Sequence, residues 1–465
     1  MNTETFDVVV IGAGPAGENA AGRCAAGGLA VAIVERELVG GECSYWGCMP
    51  SKALLRPGEV VAAARRVPGA AEAVTRPIDV AAALARRDAI AGHWDDTGQL
   101  PWLDDRGITL VRGAARLAGE RVVEVEAGDG AVRRLVARRA VVVATGTSPA
   151  IPPIPGLAEA APWDNRSVTA AKEIPRRLLV LGGGAIGAEM AQAMRRLGSD
   201  EVTVVEGLDR LLPREEPFAG DEVRAAFEAE GIRVMTSARM SGVERAGPAA
   251  PLQAGLEDGS VIEADEILMA VGRRPNTAAI GLEVVGLEPG RPIAVDERLR
   301  ARGVPGGWLY AAGDCNGLSL LTHMGKYQAR IAGDVILGRD AVDRASRDVV
   351  PRVTFTDPQV CAVGLTAAQA AERGLNVRVV DHPTGGVAGA GVAGTGFAGT
   401  SRLVVDERRS VIVGATFTGP ATAELLHSAT VAIAGEVTLD RLWHAIPSFP
   451  TVSEVWLRLL EAYGL

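Results

Sequence analysis

Short, nearly unbroken apolar runs that stop on glycine set the rhythm of this chain. Phe6 to Ile11 runs into Gly12-Ala13-Gly14-Pro15-Ala16-Gly17, and a second run, Val31 to Val34, closes on Glu35. Short apolar runs bounded by turn residues predict strands buried on both faces. The pattern returns at Arg177 to Leu181, followed by Gly182-Gly183-Gly184-Ala185-Ile186-Gly187, a helical stretch through Leu197, and Val202 to Val205 ending on Glu206. Strand, glycine turn, helix, strand and carboxylate is the order of a dinucleotide-binding unit. Its glycines let the backbone approach a pyrophosphate at a helix N-terminus, and its acid accepts a ribose 2′-hydroxyl. A single G-x-G-x-x-G is a weak signal. Two, each with its carboxylate at the right distance, imply two dinucleotide sites, built on Gly12, Gly14, Gly17 and Glu35 and on Gly182, Gly184, Gly187 and Glu206.

Between the units the chain passes Val141-Val142-Val143-Ala144-Thr145-Gly146-Thr147 and then a stiff proline-rich link, Pro149 to Gly156. The second unit ends near Gly272-Arg273-Arg274-Pro275-Asn276, and a further strand, Trp308 to Ala312, stops at Gly313-Asp314. From Val350 the pattern changes: strands at Arg402 to Val405 and Val411 to Phe417 alternate with helical stretches at Ala421 to Ala434 and Val455 to Ala462. Gly385 to Thr400, almost entirely Gly, Ala, Val and Thr, reads as a loose loop.

Composition narrows the class. A chain of 465 residues, 48% hydrophobic, fills several cores and predicts roughly three domains. Net charge is −9, and no basic run suggests nucleic acid. No apolar stretch reaches the roughly 18 residues of a membrane span, and no basic leader precedes the first strand, so a soluble cytoplasmic protein is expected. Five cysteines in a chain this long do not form a secreted disulfide framework. In a reducing compartment a close pair, Cys43 and Cys48, reads as catalytic or metal-binding rather than structural. One C-x₄-C pair supplies only two zinc ligands and no second Cys/His cluster has metal spacing, so no metal is expected.

The pair sits in Gly41-Glu42-Cys43-Ser44-Tyr45-Trp46-Gly47-Cys48-Met49-Pro50-Ser51-Lys52, just beyond the first nucleotide unit. With both glycine turns, the Thr145-Gly146 and Gly272 segments, and Gly313-Asp314, the chain resembles the class I pyridine nucleotide-disulfide oxidoreductases over essentially its whole length. These are the flavoprotein disulfide reductases of the dihydrolipoamide dehydrogenase and glutathione reductase type. The resemblance implies an α/β fold with two Rossmann-like domains, for FAD and NAD(P), and a C-terminal α+β dimerisation domain. The implied boundaries are 1–150 and 276–349 for a discontinuous FAD domain, 151–275 for the NAD(P) domain, and 350–465 for the interface domain of a homodimer.

Roles follow from the same resemblance. Cys48 is implied as the thiolate against the flavin and Cys43 as the interchange thiol facing substrate. Lys52 places a cation by the flavin and Glu189 is the carboxylate paired with it. Asp314 meets the flavin's ribityl–phosphate region, and His323 fits a position near the flavin. Cys24, Cys315 and Cys361 have no such frame and read as buried small hydrophobes. Glu206 favours a free 2′-hydroxyl, so NADH is expected over NADPH, with Arg210 and Arg214 close enough to soften the preference.

The pattern breaks in two places. Where the family carries His-x-His-Pro-Thr-x-x-Glu, this chain reads His444 to Glu454 with Pro450, Thr451 and Glu454 in register and Phe449 in place of the acid–base histidine. His444 lies five residues upstream, an offset that preserves direction on neither helix nor strand. Tyr45 and Trp46, side by side between the cysteines, either pack or offer a stacking surface to a planar acceptor. The expectation is an FAD-dependent NADH oxidoreductase with a Cys43–Cys48 redox disulfide, passing electrons to a small-molecule acceptor: a quinone, a dye or a compact disulfide. Alternatives are a disulfide reductase with a substitute base, a soluble pyridine-nucleotide transhydrogenase, and a redox-sensing flavoprotein scaffold.

Overall fold

The computed structural model describes residues 2–247 and 250–465. They form two compact units, one of residues 1–50, 88–150 and 272–347, the other of residues 51–87, 151–271 and 348–465.

The first unit is built on a seven-stranded sheet in which Ile108–Arg112, Val31–Glu35, Asn2–Ile11 and Val132–Val143 lie side by side in parallel. Leu309–Ala311 adds to Val132–Val143 in parallel, while Val122–Glu126 and Ala114–Gly119 continue the sheet antiparallel. The central strands carry Val8, Val9, Val10, Val141, Val142 and Val143, all fully buried, as both-face covering requires. The opening strand starts at Asn2, earlier than the apolar run, because Asn2 to Phe6 find ladder partners in Arg133 to Ala137 despite their polarity.

The second unit holds a four-stranded parallel sheet, Ile232–Met235, Glu201–Val205, Arg177–Leu181 and Glu266–Met269. It also holds a three-stranded antiparallel meander and a five-stranded antiparallel sheet of residues 352–419. The expected loose loop at 385–400 is corrected: it contains the helix Ala388–Ala393. Its small residues permit this, since a Cβ on Gly389 would fall 2.0 Å from the carbonyl carbon of Thr451. The expected helix at 421–434 is also corrected, beginning as a 3₁₀ turn, Thr422–Leu425, before Leu426–Ala434. Among the described residues no helix is long and apolar enough to cross a membrane.

Candidate active site

Each glycine turn is shaped by backbone contact. Gly12 and Gly182 have φ of +99° and +106°, and a Cβ on either would lie 2.5 and 2.6 Å from the carbonyl oxygens of Ala144 and Ala270. Gly17 and Gly187 press helix on strand, where a Cβ would lie 1.8 and 1.9 Å from the carbonyl oxygens of Gly12 and Gly182. The helices Pro15–Ala26 and Ala185–Leu197 begin at N-cap Gly14 and Gly184, so no side chain caps their first N–H groups.

The two carboxylates are held alike. Glu35 accepts the N–H of Ala13 and of Glu37, both at 2.8 Å. Glu206 accepts the N–H of Gly183 at 2.7 Å and of Leu208 at 2.8 Å. One bond per oxygen leaves each carboxylate with lone pairs for ribose hydroxyls. Thr145 Oγ1 is buried with no hydrogen-bond partner. Uncapped N–H groups, spare lone pairs and this orphaned hydroxyl fit FAD at the first unit, and the first two features fit a pyridine nucleotide at the second. Arg210 turns to its own loop, donating to the carbonyl of Pro213 at 3.2 Å.

Cys43 lies in the short helix Gly41–Tyr45 and Cys48 opens the helix Cys48–Arg65. Gly47 lets the chain fold back between them, since a Cβ there would meet the Glu42 carbonyl at 3.0 Å and Cys43 Cα at 3.2 Å. Both cysteines are free thiols, Cys43 half-buried and Cys48 exposed. Cys48 Sγ and Thr322 Oγ1 share a hydrogen bond at 3.3 Å. The hydrogen bond to Cys48 and burial push the Cys43 thiol well above its ordinary value, while Thr322 and Lys326 pull it down. A helix N-terminus favours the thiolate at Cys48.

A polar chain runs behind the loop. Arg273 forms a salt bridge with Glu42 and donates through Nε to Thr147 Oγ1 at 2.7 Å, and that hydroxyl donates to Asp314 Oδ2 at 2.8 Å. Burial pushes the Asp314 carboxyl up, against the pull of Thr147 and Arg273. Gly313 has φ +82° and Gly272 φ +132°. The backbone N–H of Gly313 donates to Gln328 Oε1 at 2.8 Å. Gly146 accepts the N–H of Asn276 through its carbonyl at 3.0 Å.

In the second unit Lys52 Nζ lies 2.7 Å from Glu189 Oε2, and Glu189 Oε1 accepts the N–H of Phe355 at 3.0 Å. The Lys52 ammonium also sits 4.9 Å from the centroid of the Phe355 ring. Glu454 is buried and accepts the N–H of Gly389 at 3.2 Å. Phe449 is 77% exposed, and His444 and His323 are exposed too. Tyr45 is buried with its hydroxyl on the Val39 carbonyl at 2.9 Å, which makes it a packing residue; Trp46 is half-buried beside it. Cys24, Cys315 and Cys361 are buried, and burial pushes each thiol up to about 12.

Sequence reasoning missed Thr322, Glu42 and Arg273. Arg273 had a signal in Gly272-Arg273-Arg274-Pro275-Asn276; Thr322 and Glu42 carried none. Among the described residues no group of three or more His, Cys, Asp or Glu could hold a metal ion.

Comparison with known proteins adds to this geometry. The pyridine nucleotide-disulphide oxidoreductase model matches residues 6–332, and the dimerisation-domain model of the same name matches residues 350–459. The dihydrolipoyl dehydrogenase of Chlamydia muridarum is 34% identical over 460 residues, covering 97% of this chain and 96% of the relative. The mercuric reductase of Staphylococcus aureus is 30% identical over 453 residues, covering 97% and 81%. Among solved structures, LpdA from Mycobacterium tuberculosis is similar with a TM-score of 0.87 and 27% identity over 100% of both chains. The Cu(II) complex of the HOCl-induced flavoprotein disulfide reductase RclA from Escherichia coli gives a TM-score of 0.86 and 25% identity, covering 98% and 99%.

Proposed function

The chain belongs to the pyridine nucleotide-disulphide oxidoreductases, enzymes that use FAD and a pyridine nucleotide, and from that premise we propose that it moves two electrons from NADH to a small or planar acceptor. Quinones, dyes and compact disulfides fit this description, with Cys43 and Cys48 as the thiol pair. The observation that carries the reading is Phe449, an exposed apolar ring where relatives of this type place their acid–base histidine.

When bound, FAD supplies the two-electron centre between the nicotinamide and the thiols. Gly12, Gly14, Gly17 and Glu35 would hold its adenosine and pyrophosphate, with Thr145, Gly146, Gly313, Asp314 and His323 along its length. Gly182, Gly184, Gly187, Glu206 and Gly272 would hold the pyridine nucleotide. The Lys52 ammonium, anchored by Glu189, keeps a fixed positive charge on the helix that Cys48 opens. The helix N-terminus at Cys48 favours its thiolate, while the hydrogen bond to Cys48 and burial push the Cys43 thiol up. A protonated Cys43 is a poor nucleophile, and the position of the acid–base histidine in the motif is Phe449. Residues 350–465 would form the homodimer interface, with FAD domain 1–150 and 276–349 and NAD(P) domain 151–275.

An acceptor panel tests the reading. With NADH as donor, kcat/KM for benzoquinones and dyes is expected to exceed that for lipoamide and glutathione disulfide by at least about a hundredfold, the scale of lost acid–base help. Efficient turnover of either large disulfide would instead favour a disulfide reductase with a substitute base. Exchange of electrons between the two nicotinamide pools faster than any acceptor would favour a transhydrogenase.

Cofactor choice has its own test. The Glu206 carboxylate repels a 2′-phosphate, so NADH should give the higher kcat/KM, and Glu206→Gln should narrow the gap by roughly tenfold or more. NADPH preferred by the wild type would reverse the inference.

A further inference from the structure

The loop that carries the two thiols is tied to the first glycine turn and to Asp314. At its start the N–H of Gly40 donates to the Ala13 carbonyl at 2.8 Å. Gly41, with φ +60°, packs on the turn so closely that a Cβ would lie 2.8 Å from Gly14 Cα. The second tie begins at Glu42, one residue before Cys43. Glu42 pairs with Arg273. The Arg273 guanidinium also donates to Thr147, through Nε to the hydroxyl and through Nη2 to the carbonyl, both at 2.7 Å. Antiparallel pairing of Arg273–Pro275 with Thr147–Pro149 holds the two segments side by side.

This second tie has a direction. A hydroxyl owns one proton. Thr147 takes the Arg273 Nε–H on its oxygen and turns its own proton to Asp314 Oδ2 at 2.8 Å. Thr147 is buried, and the Arg273 and Glu42 side chains are only 17% and 23% exposed, so water is a poor substitute for any member. Removing either charge strands the other. The four groups, all within the first unit, therefore hold or let go together.

We propose that Glu42 and Arg273 are positioning residues that latch the Cys43–Cys48 loop to the flavin site, so that FAD bound there orders the loop. This rests on the reading of the first unit as the FAD site, with Asp314 along the flavin's length. A ribityl hydroxyl on Asp314 fixes that carboxylate, and through it Thr147, Arg273 and Glu42. A pyrophosphate on the glycine turn fixes Gly14 against Gly41. The loop then carries its thiols in one arrangement when the site is filled and frays when it is empty. Neither latch residue touches a reacting atom; both act through the loop. Linkage is reciprocal, so whatever FAD does for the loop an intact latch does for FAD affinity.

The test is hydrogen–deuterium exchange of the full chain, stripped of flavin and then reloaded with FAD, read by peptide mass spectrometry. In the wild type FAD is expected to slow exchange about tenfold both in residues 12–17 and in residues 42–48. In Glu42→Gln and in Arg273→Met the slowing at 12–17 should persist, while that at 42–48 falls below about twofold. FAD should bind each variant about five- to tenfold more weakly. The double variant should bind it no more weakly than the worse single one, since the two charges act as a unit. If Arg273→Met does not fold, Arg273→Lys takes its place: an ammonium keeps the charge but loses the fork that spans Glu42 and Thr147, so the same loss is expected. Slowing at 42–48 that survives in both single variants overturns the inference, as do losses of affinity that multiply in the double variant. Wild-type slowing confined to 12–17 overturns it too. FAD that slows neither segment of the wild type overturns the reading of the first unit as the FAD site instead.

Discussion

Protein carrying Gly17→Ala is expected to purify without FAD, its flavin-to-protein ratio down by more than tenfold. The added Cβ would stand 1.8 Å from the Gly12 carbonyl oxygen and 2.9 Å from its carbon, and neither is a side chain that can rotate away. Either the helix Pro15–Ala26 lifts off its strand or the turn opens. Both move the uncapped N–H groups at Gly14 that suit a pyrophosphate. Overpacking of this kind typically costs about 1–3 kcal/mol of stability as well. Gly187→Ala makes the same clash, 1.9 Å from the Gly182 carbonyl oxygen, in the other unit. It should leave the protein yellow and raise KM for NADH by at least about tenfold. The pair discriminates the two sites: loss of flavin from Gly187→Ala, or full flavin in Gly17→Ala, would contradict the assignment of FAD to the first unit.

The two nucleotide units were legible because their signals are local. A strand that must be buried on both faces is written as an apolar run, and a turn that must pass a backbone closely is written as glycine. The carboxylates of Glu35 and Glu206 follow from the same strand geometry, and the structure repeats their hydrogen bonds almost atom for atom. Lys52 and Glu189 were legible only through resemblance, since 137 residues separate the partners of that ion pair. The helix Ala388–Ala393 was not legible. Its sequence is mostly glycine, alanine and valine, and its place is set by residues far along the chain, the Thr451 backbone and the Glu454 carboxylate. Thr322 was missed for a related reason. It belongs to no motif, and what distinguishes it is the hydrogen bond that its hydroxyl shares with Cys48 Sγ, a property of packing alone.

Phe449→His is expected to raise kcat/KM for lipoamide and glutathione disulfide by at least about tenfold while changing dye reduction by less than twofold. The substitution returns an acid–base group beside Pro450, in register with Thr451 and Glu454. Acid–base assistance is worth about 10²–10⁴-fold where the base is well placed. One feature of this chain argues for the lower end of that scale or below it: Glu454 Oε2 accepts the N–H of Gly389 at 3.2 Å, so a new histidine has to share an acceptor already in use. An unchanged kcat/KM for both disulfides in Phe449→His would mean that this position does not serve the interchange thiol.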